Sequence, residues 1–257
     1  MGGKGSRRVE LAPLYVLHHR PWRDTSRMLD VFTRDHGRLT LFARGVRGPK
    51  SRSASLLQPF RLLLGSWTGS GDAGQLNQVE AAVAGVEGLA AADRPPLPAS
   101  TLISAWYLNE LVLKLTVRND PQPMVFDLYH STLERLRGGE AVAAVLRRFE
   151  RQLLELLGYG VEFEREAREG GALRSDAYYH FHPDLGFIEV TGEAPATAFS
   201  GKELLAIAGD EYEDPTVLEA ARRVLRTALD RALEGRDLST RAVARSVSRR
   251  RHKETKS

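Results

Sequence analysis

The sequence predicts an α+β protein: a five-stranded barrel at the N-terminus, followed by a mainly α-helical C-terminal domain. Two observations carry that expectation. Over the first eighty or so of its 257 residues, short apolar and β-branched runs recur between turn signals at the spacing of a small all-β domain. Beyond an Ala- and Pro-rich stretch from Gly88 to Pro98, the apolar residues recur instead at helical spacing.

The first strand is LAPLYVLHHR, where Leu14, Val16 and His18 alternate with Tyr15 and Leu17. SRMLDVFT follows and is closed by the turn Asp35-His36-Gly37-Arg38, in which Gly37 can supply a positive φ; LTLFARG is the returning strand. A linker rich in Gly, Pro, Ser and cations, GVRGPKSRSAS, leads to QPFRLLLGSW, and the loop TGSGDAG then leads to QLNQVEAAV. Five strands are the number an OB barrel uses. The boundary is placed near Ala84, giving an OB-fold domain over residues 1–84, a helical domain over 85–247 and a basic tail over 248–257.

In the second part, ASTLISAWYLNELVLKLTV is apolar around most of its circumference, as in a helix enclosed by others, and Asn119, Asp120, Pro121 and Pro123 stop it. A second helix is expected from Met124 to Leu136, ended by Gly138 and Gly139. EAVAAVLRRFERQLLELLGYG places Val142, Val145, Phe149, Leu153 and Leu156 at helical spacing, with Gly158 as C-terminal cap. From Val161 to Thr197 the pattern is irregular, and AYYHFHP and GFIEV suggest a short hairpin or extended pieces. Ser200 and Glu203 have capping-box spacing before a short helix; Asp214-Pro215 opens a longer one that Gly235 ends. The tail RRRHKETKS has too little apolar content to fold by itself and is expected to be disordered.

Composition narrows the function. With no cysteine, disulfides, thiolate nucleophiles and cysteine-bound zinc are excluded. No run reaches the ~18 to 20 apolar residues of a membrane span, and the N-terminus carries no export signal, so a cytoplasmic location is expected. The net charge of +4 conceals segregation: Arg20 to Arg52 holds nine Lys/Arg against Asp24, Asp30 and Asp35, and Thr240 to Ser257 holds seven against Glu254. Locally concentrated cations are what a polyanion partner requires. On charge alone, a merely solvated face stays open as the alternative.

Gly69, Gly71 and Gly74 match the spacing of a dinucleotide fingerprint, but a strand follows them and no βαβ unit surrounds them, so a hairpin loop is the better reading. His180 and His182 fall on one face of a strand without further ligands of recognised spacing, and His18 and His19 point to opposite sides, so no metal site is expected. No G-x-S-x-G elbow is present, and no acid/base pair can be singled out. Neither an enzyme nor a cofactor is expected. Nucleic-acid binding has residues to stand on: Arg20, Trp22, Arg23, Arg27, Arg38, Arg44, Arg47, Lys50 and Arg52 fall on the barrel's strands and loops, where cations can track a phosphate backbone. Trp22, Phe42, Phe60 and Trp67 are the stacking candidates, with core packing favoured for Phe42 and Phe60. A second cluster, Arg147, Arg148 and Arg151, lies on a helix with a strongly apolar opposite face; Arg147 and Arg151 share a side. Such a basic rim suits an acidic peptide with an aromatic anchor, and a solvated helix surface explains it equally well.

At this point VLHHRPWRDTSRMLDVFTRDHGRLTLFARGVRG and LLQPFRLLLGSW, followed in order by YLNELVLKL, LRRFERQLLELLGYGVEF, LGFIEV and LEGRDLSTRAV, resemble the RecO family. The resemblance implies an OB-fold with a helical domain, acting in DNA repair and recombination. Its members bind single- and double-stranded DNA, anneal strands and, with RecR, help RecA replace single-stranded DNA-binding protein (SSB), whose acidic C-terminal tail the helical domain recognises; such a role implies association with the nucleoid. Arg20, Arg23, Arg27, Arg38, Arg44, Arg47 and Lys50 inherit the DNA role. Arg147 and Arg148 inherit the SSB tail, with Phe149 and Leu153 supporting its pocket and Arg151 alongside. Many relatives hold a zinc through four cysteines after the LGY segment; here VEFEREAREGGALRSDAYYHF cannot, and that loop is expected to be held by packing alone. The alternative is a sequence-specific DNA- or RNA-binding regulator with an OB domain.

Overall fold

A closed five-stranded barrel forms from β1 (Arg7–Trp22), β2 (Ser26–Thr33), β3 (Gly37–Ala43), β4 (Leu63–Ser70) and β5 (Ala73–Ala81), with α1 (Arg52–Leu56) between β3 and β4. The strand order is β1-β2-β3-β5-β4, and only the β3–β5 pairing is parallel. This is the expected OB-like architecture, seen in a computed structural model that describes residues 7–47, 52–70, 73–82 and 95–254. Alternation fills the barrel: Leu14, Val16, Leu29, Val31, Leu39 and Leu41 point inward and are buried together. The hairpin reading of the glycine-rich loop holds where it is described, because Gly69 pairs with Gly74 across β4 and β5, and a Cβ on Gly69 would lie 2.5 Å from the Ala73 carbonyl oxygen. Gly71 lies outside the described residues.

The expected boundary near Ala84 also lies outside the described residues. By packing, the chain forms one unit of Met1–Gly138 with Leu238–Ser257 and a second of Gly139–Asp237. The first unit therefore includes α2 (Leu102–Leu115), α3 (Pro123–Arg137) and the C-terminal α7 (Ser239–Glu254) besides the barrel. The reason is visible in β1, where Leu14, Tyr15, Val16 and Leu17 are all buried. Leu14 and Val16 fill the barrel; Tyr15, with Phe32 of β2, packs outside against Phe126 and Tyr129 of α3 at centroid distances of 5.0–6.5 Å.

Buried polar groups fix this packing. Asn109 Nδ2 donates to the Leu17 carbonyl (2.8 Å) and Asn109 Oδ1 accepts from Tyr129 Oη (2.6 Å); Tyr15 Oη and His130 Nδ1 lie 2.6 Å apart. At the rim Arg34 grips Asp127 through two 2.9 Å bonds, the fork-to-carboxylate geometry that makes such pairs strong. Gly37 has φ +66°, as its turn demands, and any Cβ there would lie 2.2 Å from the Asp120 carbonyl oxygen.

α7 corrects the expectation of a disordered tail as far as Glu254; residues 255–257 are not described. Its first turn is capped by a residue of α2: Glu110 accepts from the amides of Ser239 (2.8 Å) and Thr240 (2.9 Å) and from the Thr240 hydroxyl (2.6 Å). A carboxylate at a helix N-terminus satisfies amides that have no intrahelical partner. With its start fixed and no Gly or Pro up to Glu254, the segment continues as helix despite its low apolar content.

The second unit is built from α4 (Val142–Leu156), a three-stranded sheet of β6 (Tyr178–His182), β7 (Gly186–Glu189) and β8 (Phe199–Ser200), then α5 (Gly201–Ala208) and α6 (Pro215–Ala232). The predicted hairpin is β6–β7, with β8 on the other side of β6. The capping box forms as predicted: Ser200 Oγ accepts from the Glu203 amide (3.2 Å) and the Glu203 carboxylate from the Ser200 amide (3.1 Å). Phe149, Leu153, Leu204, Ile207, Val224 and Leu225 form its fully buried centre. The loop expected to rely on packing alone has hydrogen bonds as well. Glu166 accepts from the amides of Arg168 (2.7 Å) and Glu169 (2.6 Å), the Glu166 amide donates to the Gly171 carbonyl (2.8 Å), and the Ala167 amide donates to the Phe187 carbonyl (2.7 Å). No helix among the described residues is long and apolar enough to cross a membrane.

Candidate nucleic-acid interface

Register assembles the interface on the outer face of β1, β2 and β3. Paired residues of neighbouring strands share a side, and Arg20 pairs with Met28, Met28 with Phe42, and Phe42 with Gln75. Because Leu29, Leu41 and Ala43 point into the barrel, this row points out. Two residues beyond Arg20, Trp22 returns to the same side and meets Phe42 at 5.3 Å between centroids with planes inclined by 48°. Trp22 is 41 % exposed, and Phe42 is half-buried beneath it. Phe42 thus departs from the core position favoured for it: its strand neighbours Leu41 and Ala43 take the inward positions. Phe60 and Trp67 are buried, Phe60 against Trp106 and Trp67 at the barrel end against His36.

The predicted cations separate into three groups. Arg20, Arg23 and Arg44 are exposed around the aromatic pair; Arg20 reaches only the Met28 sulfur (3.8 Å), and the side chains of Arg23 and Arg44 have no partner among the described residues. Arg47 is also exposed, and Arg27 is half-buried; each reaches a backbone carbonyl, Arg47 that of Arg23 (3.1 Å) and Arg27 that of Ala54 (3.5 Å). Arg38 is different. It is half-buried and clamps Thr116, donating to its hydroxyl (3.1 Å) and carbonyl (2.8 Å), so it ties β3 to the end of α2 and is not presented to a ligand. Lys50 lies outside the described residues, as does the side chain of Arg52.

The electrostatics of this end are positive. Burial holds His19 below its ordinary value, and the neighbouring Arg27 and His18 lower it further. Asp30, the acidic residue on the same outer face, is paired with Arg118 (2.9 Å), which also donates to Thr40 (2.7 Å). Sequence reading missed Arg118, which lies 88 residues from Asp30; no local pattern could have joined them. It also missed Gln75, whose amide bonds the Phe42 carbonyl (2.7 Å) and extends the row onto β5. Such a surface can stack bases on Trp22 and Phe42 and hold phosphates with the arginines around them.

In the second unit, Arg147, Arg148 and Arg151 lie along α4 as predicted, and all are engaged. Arg147 donates to Glu150 (2.7 Å); Arg148 donates to the Asp210 carboxylate (2.8 Å) and carbonyl (3.2 Å); Arg151 reaches the other Asp210 carboxylate oxygen (3.4 Å) and the Ala208 carbonyl (3.5 Å). Phe149 and Leu153, expected to line a pocket beside them, are fully buried, because the apolar side of α4 faces the centre of its own unit. Nearby is a cleft of about 390 Å³ whose lining is mainly polar: Arg151, Glu155, Glu162 and Glu164 surround Val161, Phe163 and Ala208. His180 and His182 are both exposed, and among the described residues no group of three or more His, Asp or Glu side chains is placed to hold a metal.

Comparison with known proteins agrees with this architecture. Residues 11–84 match the family model for the recombination protein O N terminal domain, and residues 99–242 match that for its C terminal domain. Among curated proteins, a DNA repair protein RecO of Methylococcus capsulatus is 38% identical over 241 residues, covering 94% of this chain and 95% of the relative. Its counterpart from Ralstonia nicotianae is 37% identical over 242 residues (93% and 85%), and one from Coxiella burnetii 37% over 238 residues (93% and 99%).

Proposed function

The chain belongs to the recombination protein O (RecO) family, and from that premise we propose that it is a DNA-repair mediator that binds single- and double-stranded DNA, anneals complementary strands and, with RecR, helps load RecA onto SSB-coated single strands. The observation that carries this reading is the exposed Trp22 over the half-buried Phe42, flanked by Arg20 and by Arg44 and Arg23, whose side chains have no partner among the described residues, on the outer face of an OB-like barrel. Every base has a face to stack and every nucleotide a phosphate, so this combination gives sequence-tolerant, salt-sensitive affinity. Arg47 extends the phosphate track from the turn after β3, and Arg27 adds its charge from the start of β2.

Arg148 and Arg151 receive the acidic C-terminal tail of SSB. Capturing that tail tethers the barrel beside SSB-coated DNA, so the second contact forms at high effective concentration rather than by a new encounter. The work is binding and rearrangement, carried out on chromosomal DNA in the cytoplasm.

Strand annealing measured on naked and on SSB-coated DNA tests the reading, with SSB either intact or lacking its last residues. Naked strands are expected to anneal, and coated strands only when the SSB that covers them keeps its tail. Failure to anneal naked strands, or a large preference for one sequence over random competitor, would overturn it in favour of a sequence-specific regulator.

A further inference from the structure

The arginine cluster on α4 is closed by a carboxylate of the protein itself. Asp210 follows the end of α5 in the left-handed region (φ +63°), a conformation that Asn, Asp and Gly adopt most readily. That turn sends its side chain back to α4, where one carboxylate oxygen accepts from Arg148 and the other from Arg151. The carboxylate remains about one-third exposed, so solvent reaches it.

Asp210 is not the only support of these arginines. Arg151 also reaches the Ala208 carbonyl at the negative end of α5, and the Arg148 guanidinium lies over the Tyr212 ring, 5.4 Å from its centroid. Nor does Asp210 reach every donor of the cluster. Arg147 Nε, Arg151 Nε and the Tyr212 hydroxyl are all buried without a hydrogen-bond partner among the described residues, and Tyr212 is only 3 % exposed. Burial pushes the Tyr212 phenol up to about 12, so it stays a protonated donor. A buried donor left unmatched is a cost that a ligand can relieve.

On the reading that Arg148 and Arg151 receive an acidic peptide, we propose that Asp210 is a resident stand-in for the peptide's carboxylate, and that the peptide binds by displacing it. The exchange sets the ligand class. A lone carboxylate replaces one negative charge with another and gains little, whereas a segment with adjacent acidic residues brings more charge than Asp210 and more acceptor oxygens for the donors left over. The site therefore discriminates against single anions and admits multiply acidic peptides.

The test is the affinity of full-length protein for a synthetic peptide of SSB's acidic tail, measured by fluorescence anisotropy for the unaltered chain, Asp210→Asn and Asp210→Gly. Both replacements suit a positive φ, and thermal unfolding of each variant identifies any that fails to fold. Binding is expected to tighten roughly two- to tenfold, the range for freeing partly exposed ion pairs, with Gly above Asn. If the unaltered chain binds and folded variants bind equally or more weakly, Asp210 is a structural clamp and the inference is wrong. If none of the three binds, the tail-binding reading itself fails with it.

Discussion

Replacing Trp22 with Ala separates stacking from charge in the proposed DNA contact. The indole is exposed and touches Phe42 on the outside of the barrel, so the fold loses little more than an aromatic pair, about 0.5–1.5 kcal/mol. Bound single-stranded DNA loses one base stack, about 1–3 kcal/mol, which is roughly 5- to 150-fold in Kd. Because no charge is removed, the dependence of log K on log salt should keep its slope. Replacing Arg20 and Arg44 with Gln should do the reverse: each phosphate contact on a single strand contributes about −0.7 to that slope, so losing two flattens it by about 1.4. Anisotropy titrations of a labelled oligothymidine across a salt series read both quantities. The reasoning is refuted if Trp22→Ala binds as tightly as the unaltered protein at every salt concentration, or if it changes the slope as much as the double arginine replacement does.

Two further predictions concern the first unit. Asn109→Ala leaves the Leu17 carbonyl and the Tyr129 hydroxyl without their partners in a site that is 1 % exposed. At about 1–3 kcal/mol for each stranded group, unfolding in urea should show a loss of about 2–6 kcal/mol, and a loss below about 1 kcal/mol would contradict the network. The second is a pH dependence at the start of α7. Burial pushes the Glu110 carboxyl up, but the Thr240 hydroxyl, the amides of Thr240 and Ser239, and Lys114 together hold it below the ordinary 4.5. A carboxyl so lowered contributes its full stability above the unfolded value and loses it as pH falls through the folded one. The Ser239 and Thr240 amide resonances should therefore shift with a midpoint below 4.5 and lose that titration in Glu110→Gln; a midpoint at or above 4.5 would contradict the cap.

Local chemistry was legible in the sequence. The positive φ of Gly37, the Ser200–Glu203 box and the Asp214–Pro215 helix start each depend on a few adjacent residues, and each forms as read. Long-range pairing was not. Phe42 looks like a core residue until the register with Met28 and Gln75 sets which side it faces, and Arg38 looks like a free cation until Thr116, 78 residues away, receives it. The same holds for the arginines of α4: spacing places them on the helix, but only the fold brings Asp210 to Arg148 across 62 residues. The compositional shift after residue 84 signals a linker without saying where packing ends. The run Leu14 to Leu17, buried on both sides, was the available sign that the barrel carries a second layer.

The return of α7 to Glu110 has a consequence for biosynthesis. Ser239 follows Glu110 by 129 residues, and translation at about 5–20 residues per second takes on the order of 10 s to cross that interval. All of Gly139–Asp237 is made in between. The later segment can therefore settle on the ribosome while the earlier one still waits for α7, inverting the usual N-terminal-first order and leaving the α2 docking surface uncovered until α7 has been made.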